Sequence, residues 1–203
     1  METLKRNNET WGLVNTTVGR IQSQNLGGDS MSIETIIENG LKYAQEDYLK
    51  IALGKFNDVK PKEDQVKCAL YRSFSEANYL VHVEASYARN AGRCDLVAIA
   101  KKKDYIAIEI KTAWAGTGWV NKPKEQASSW KKDIEKLKSM KKSGFAKHGY
   151  FVLSFAYEQS TKYHQQLHTE IQALNGIELP FFQIEDWNGL NAIQFCIVKV
   201  FSE

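Results

Sequence analysis

Cysteine is scarce in this chain: Cys68, Cys94 and Cys196 lie far apart, none in a CxxC pair or beside a histidine. That spacing argues against a structural zinc site, and an odd, sparse count suits a reducing cytoplasm better than a disulfide-stapled secreted fold. Long apolar runs are missing too. Nothing approaches the roughly 20 residues of a membrane-spanning helix, and residues 1–30 are too polar for a secretory signal. The expectation is a cytoplasmic protein with no membrane segment, in which the acceptor-like triplets Asn8-Glu9-Thr10 and Asn15-Thr16-Thr17 read as chance. There is no internal repeat and no low-complexity tract.

What is present is an ordinary globular composition. At 203 residues, 43% hydrophobic and 25% charged, the chain is long enough for one domain with a sizeable core and short for two. Residues 1–30 show no apolar periodicity and end in Leu26-Gly27-Gly28-Asp29-Ser30, which predicts a flexible arm ahead of a single domain over 31–203. Met31, at that boundary, offers an alternative start.

Helical spacing of Ile33, Ile36, Ile37, Leu41, Ala44, Tyr48 and Ile51 predicts a first helix from about Ser32, its N-cap, to Leu53. A second helix follows Pro61, with Val66, Leu70 and Phe74 on one face and Glu63 in its first turn. Tyr79 to Ala85 alternates as a strand, with Leu80, His82 and Glu84 on its polar side. Further on come a helix over about Lys124–Lys142, a central strand over Tyr150–Tyr157, a helix over Thr161–Asn175 and two last strands near Phe181–Ile184 and Ala192–Phe201. Strands alternating with helices predict an α/β domain with a mixed sheet flanked by helices.

The chemistry concentrates between Gly92 and Lys111. Two apolar runs flank a polar tip at Lys101 to Asp104, as in a β-hairpin, yet they carry Asp95, Glu109 and Lys111. Buried charges are costly unless they pair or bind metal. Glu109 and Lys111 are two apart and share a face; an odd-length tip such as Lys102-Lys103-Asp104 would set Asp95 opposite Lys111, with Glu109 diagonal to it. Two carboxylates and a lysine meeting this way suit metal-assisted phosphodiester hydrolysis. Carboxylate oxygens are hard ligands for Mg²⁺, with Mn²⁺ able to substitute, and the ammonium can stabilise charge on the reacting phosphate. A structural salt bridge between one acid and Lys111 is the alternative.

Asp95 with Glu109-Ile110-Lys111 fourteen positions later, led in by Gly92-Arg93, resembles the core signature of the PD-(D/E)XK nuclease superfamily. Cys94 stands where the proline of that signature would be. Gln126-Ala127-Ser128-Ser129-Trp130 resembles the glutamine-x-x-x-tyrosine motif of the superfamily's RecB-like branch, with Trp130 in place of tyrosine. The resemblance spans about residues 60 to 155. It implies a restriction-endonuclease-like fold and an Mg²⁺-dependent endonuclease or exonuclease acting on nucleic acid, with DNA the expected substrate and a homodimer one available assembly. It further implies that Asp95 and Glu109 are metal ligands with the Ile110 carbonyl as a third, that Lys111 is the catalytic lysine and that Gln126 supports the site. Many members add a helix glutamate; Glu63 fits that place, and Glu84, on the strand next to Asp95, is its competitor. A non-cleaving nucleic-acid-binding module on the same fold is the alternative function.

Charge distribution bears on the partner. Between Asn121 and His148 nine lysines face three acids, six net positive charges against +3 for the whole chain. Lys131, Lys132, Lys138 and Lys142 are therefore candidates for phosphate contacts, or else form a solvated face. Arg93 belongs with them. Trp114 and Trp119, in what reads as a glycine-containing loop after Lys111, either stack on splayed bases or pack as a lid over the core.

Overall fold

The computed structural model describes residues 31–53, 62–86, 92–100, 104–115, 123–159, 161–187 and 189–203. The arm expected over 1–30, Trp119 and the hairpin tip at 101–103 lie outside the described residues. Residues 31–203 group into one unit.

Helix α1 (Ile33–Leu53) begins where Ser32 caps it: the Thr35 amide donates to Ser32 Oγ at 3.1 Å. Its stripe of Ile36, Ile37, Leu41, Ala44 and Tyr48 is buried. Helix α2 (Glu63–Glu76) lies against it at close range because Gly40 has no side chain. A Cβ there would stand 2.8 Å from Leu70 Cδ2 and 3.1 Å from Leu70 Cα, and Ser73 Oγ donates to the Ile36 carbonyl at 2.7 Å across the contact. This seating fixes where the first turn of α2, with Glu63 and Lys67, meets the sheet.

Among the described residues the sheet has seven strands: β1 (Leu80–Ser86), β2 (Arg93–Ile99), β3 (Tyr105–Ala115), β4 (His148–Tyr157), β5 (Ile177–Glu178), β6 (Phe182–Trp187) and β7 (Leu190–Ser202). Their spatial order is β1-β2-β3-β4-β7-β5, with β6 also on β7. Only β3 and β4 pair in parallel, joined through α3 (Pro123–Lys142); the other pairings are antiparallel. Helix α4 (Lys162–Gln172) starts at Thr161, whose hydroxyl accepts from the His164 amide at 3.2 Å. The described residues thus form an α/β domain with a mixed sheet flanked by four helices, α1 and α2 packing on one face and α3 and α4 on the other. Alternation along β3 divides the core accordingly: Ile106, Ile108 and Ile110 join the α1/α2 side, Ala107 and Ala113 the α3/α4 side.

Three expectations change. The strand bearing Lys111 does not end there but runs to Ala115, so Trp114 sits in β3 and packs against the α1/α2 core rather than in a loop. The span from Gly176 to Pro180, between the helix and the last two strands that the sequence predicts, contains a further two-residue strand, β5. The hairpin register is also one step off. Ile99 pairs with Tyr105 and Leu96 with Ile108, and the Ala100 amide donates to the Asp104 carbonyl at 3.0 Å. Counted on from those pairs, Asp95 falls level with Glu109 rather than with Lys111, which lies two residues farther along β3.

Among the described residues no helix is long and apolar enough to cross a membrane.

Candidate active site

The paired stretch of β2 and β3 ends at Leu96 and Ile108, and just beyond it Asp95 takes over from the backbone. The Ile110 amide, which a continuing ladder would give to a β2 carbonyl, donates instead to Asp95 Oδ2 at 2.8 Å. Cys94 Sγ lies 3.4 Å from the Ile108 carbonyl in the same gap. The strands therefore part around a carboxylate, and Glu109 and Lys111 follow on that face of β3.

Glu109 is 1% exposed. Its Oε2 accepts from Lys136 Nζ of α3 at 2.7 Å, while Oε1 is buried with no hydrogen-bond partner. Burial, then repulsion from Asp95, pushes its carboxyl up to about 7, against the pull of Lys136. Lys111 Nζ lies 3.3 Å from Glu63 Oε2 and 3.6 Å from Asp133 Oδ2, an α3 carboxylate. Burial lowers the Lys111 pKa, but Glu63, Asp133 and Asp95 more than offset that, leaving it above the usual lysine value. Burial also raises Glu63 and Asp133, with Lys111 opposing it in both.

A third lysine completes the cluster. Lys67, one turn after Glu63 on α2, hydrogen-bonds Glu84 of β1, and its Nζ lies 3.6 Å from Asp95 Oδ1 and 3.9 Å from Glu63 Oε1. Glu84 falls level with Asp95, between the pairs Val83–Leu96 and Ala85–Cys94, and it has the left-handed backbone φ of 52°. Both competing acids, Glu63 and Glu84, thus reach the group around Asp95.

Gln126 lies near the start of α3, where its Nε2 is 3.5 Å from the Trp114 carbonyl and its Oε1 is buried. It ties α3 to the end of the Lys111 strand, and Trp130 behind it is buried. Arg93 opens β2 on the surface, across from Ser86. The candidate phosphate-binding lysines divide. Lys132 is exposed on the line of α3 that continues to Lys136, i to i+4. Lys131, Lys138 and Lys142 form a separate line about 200° from Asp133 around the helix. Lys131 and Lys138 line a shallow groove with Ile134, Glu135, Ala173, Leu174, Val198 and Val200, and Lys138 is held by Glu135 at 2.6 Å.

Comparison with known proteins returns nothing. No family model, curated protein or solved structure matches the chain.

Sequence reasoning missed Lys67, Asp133 and Lys136. Two of them left a signal: Lys67 shares a stripe with Leu70 and Phe74, and Asp133 shares one with Trp130, Leu137 and Met140. A charged residue on a buried stripe asks for a partner.

Divalent-cation binding can be tested against these side chains. For it speak the hard oxygen donors, the buried Glu109 Oε1 without a partner, and the balance of charge. With all groups ionised, Glu63, Glu84, Asp95, Glu109 and Asp133 exceed Lys67, Lys111 and Lys136 by two negative charges. Against a ready-made cage, no three acidic, histidine or cysteine side chains among the described residues are grouped so as to hold a metal ion. The lysines stand between the acids. Asp95 and Glu109 offer hard oxygen donors of the kind Mg²⁺ takes with few protein ligands, although the Ile110 amide, Lys67 and Lys136 already engage three of their four oxygens.

Proposed function

We propose that this protein is a metal-dependent nuclease that hydrolyses phosphodiester bonds of DNA. The observation that carries the proposal is the meeting of Asp95, Glu109 and Lys111 where β2 and β3 part, with Glu109 Oε1 buried and unpartnered. The α/β domain with a mixed central sheet is compatible with the restriction-endonuclease-like fold that the sequence resembles.

Asp95 and Glu109 would hold Mg²⁺, with the Ile110 carbonyl as a further ligand. When bound, the ion would acidify a water and screen phosphate charge. Asp95 is oriented by the Ile110 amide, and Glu109 is kept out of solvent. Lys111, 27% exposed in its side chain, remains cationic and within reach of a phosphate. There it orients the attacking water and stabilises charge growing on the phosphoryl oxygens, a contribution of about 10²–10³ in rate for one well-placed donor. Glu63 and Asp133 hold the Lys111 ammonium from two sides. Lys132 and Arg93 supply exposed positive charge for the DNA backbone.

The test is incubation of the full chain with supercoiled plasmid, single-stranded DNA and RNA in Mg²⁺, Mn²⁺ or EDTA. Cleavage of DNA that EDTA stops is the expected result. Metal-independent binding without cleavage would favour the non-cleaving module instead, and inertness toward all three substrates would refute the proposal.

A further inference from the structure

Helix α3 has a second outward face, away from Asp133 and Lys136. There Lys131 and Lys138 stand over a groove of about 310 Å³ whose apolar lining includes Ile134, Leu174, Val198 and Val200. Lys141, on the next turn, places its ammonium 5.6 Å from the centre of the Phe201 ring of β7, and Lys142 continues the line. All four lysines are exposed, and the acid interleaved with them is Glu135. Glu135 pairs with Lys138 at 2.6 Å, but the two side chains are 67% and 49% exposed, so that pair is weak and exchangeable.

The groove adjoins an open stretch of sheet edge. Strand β7 runs to Ser202, yet β5 pairs with it only at Ile197 and Cys196. The chain leaves the edge at Gly176, packed so close that a Cβ there would lie 2.8 Å from Val198 Cγ2 and 2.9 Å from the Ile197 carbonyl oxygen. Past Ile197, β4 is the one strand among the described residues that pairs with β7. The other edge of this stretch therefore offers backbone donors and acceptors to an added strand. Val200 is skipped between the pairs Tyr150–Lys199 and Gly149–Phe201, a bulge that limits the flat edge to a few residues. Val198 and Val200 lie on the α3/α4 face, whereas Lys199 lies on the opposite one, held by Glu34 at 2.9 Å.

These features select an occupant. A second copy related by a two-fold axis would bring the lysine line against itself, and the bulge shortens the edge two such strands could share. A phosphate backbone would satisfy the lysines but leave the apolar floor uncovered. We propose that the β7 edge and this groove dock a short extended segment of a partner protein by strand addition, the segment carrying carboxylates on either side of an apolar residue. The apolar side chain enters among Ile134, Leu174, Val198 and Val200, and the carboxylates on the same face reach Lys131 and Lys138. Spacing agrees: lysines seven apart on a helix lie about 10 Å apart along its axis, and acids four apart on a strand about 13 Å, a difference that flexible lysine stems absorb. The site is separate from the Asp95 cluster and does not depend on the nuclease reading.

The experiment follows the anisotropy of a fluorescein-labelled peptide, Thr-Glu-Thr-Val-Thr-Glu-Thr, as the full chain is added. Two control peptides have lysine in place of both glutamates, or the same sequence N-methylated along its backbone. Binding of the acidic peptide is expected, at least tenfold weaker for either control and at least tenfold weaker to Lys131→Glu combined with Lys138→Glu, with circular dichroism showing that variant folded. The control peptides need no variant at all. No binding of the acidic peptide, or equal binding of the lysine peptide or by the folded double variant, would overturn the proposal; equal binding of the N-methylated peptide would overturn strand addition. Displacement of the peptide by duplex DNA would overturn it in favour of a phosphate-backbone site. Sedimentation showing a dimer that the peptide dissociates would overturn it in favour of a second copy.

Discussion

Replacing Glu109 by Gln should stabilise the protein in alkaline solution and leave it nearly unchanged in acid. The carboxyl is 1% exposed, and burial together with Asp95 raises its pKa from an ordinary 4.5 to about 7. A raised folded-state pKa means that the native state holds its proton more tightly than the unfolded chain does. The stability from that proton is fully present below pH 4.5 and is lost as pH rises through about 7. At about 1.4 kcal/mol per pKa unit, the loss is on the order of 3 kcal/mol by pH 8. Glutamine cannot ionise, and its amide oxygen can still accept from Lys136, whose side chain is 26% exposed and otherwise free to turn to water. Other groups titrate over the same range in both proteins, so the difference between them isolates position 109. Thermal and urea melts of wild type and Glu109→Gln at pH 5 and pH 8, with EDTA present, should give similar stabilities at the lower pH. At the higher pH the variant should melt roughly 6–12 °C above wild type, taking about 2–4 °C per kcal/mol for a domain of this size. A difference independent of pH, or a variant less stable at pH 8, would refute the assignment of a strained, buried charge to Glu109.

Further outcomes follow from neighbouring residues. Lys111→Ala should abolish cleavage while leaving folding and DNA binding in place, because its ammonium acts mainly in the transition state; Asp95→Asn, which keeps an acceptor for the Ile110 amide, should lose metal-dependent cleavage without unfolding. Wild-type rates from either variant, measured on plasmid DNA, would end the nuclease assignment at these residues. Lys132→Gln should weaken DNA binding and flatten the slope of log affinity against log salt by about one unit, whereas Lys131→Gln combined with Lys138→Gln should leave it nearly unchanged; equal effects would mean the far line of α3 also meets the backbone. Gly149→Ala should cost about 1–3 kcal/mol in urea melts, because the new methyl would overlap the Phe201 ring. Phe201→Leu in the same chain should recover part of the loss, and an undiminished penalty in the double variant would show that the ring is not what the methyl meets.

The amino-acid pattern by itself determined the helices and most strands, because each carries its own periodicity: Ile33 to Tyr48 at helical spacing under a Ser32 cap, and the alternation along β3 that sets Glu109 and Lys111 on one face. It also singled out Asp95, Glu109 and Lys111, since charge inside apolar strands stands out without any knowledge of their neighbours. The two-residue strand β5 escaped because so short a strand has no period to detect and exists only by pairing with β7. The hairpin register escaped because an apolar alternation fits more than one pairing of the two strands, and the observed pairs, counted on, put Asp95 level with Glu109 rather than with Lys111. Partners contributed from elsewhere in the chain were decided by the tertiary structure alone. Lys136 reaches Glu109 across 27 residues, and Glu63 reaches Lys111 across 48. Lys67 gathers Glu84 and Asp95 only because Gly40 lets α2 settle close to α1 and so positions its first turn at the sheet. A local pattern shows that a buried charge needs a counter-charge, but which residue supplies it is fixed by the packing of helices on the sheet.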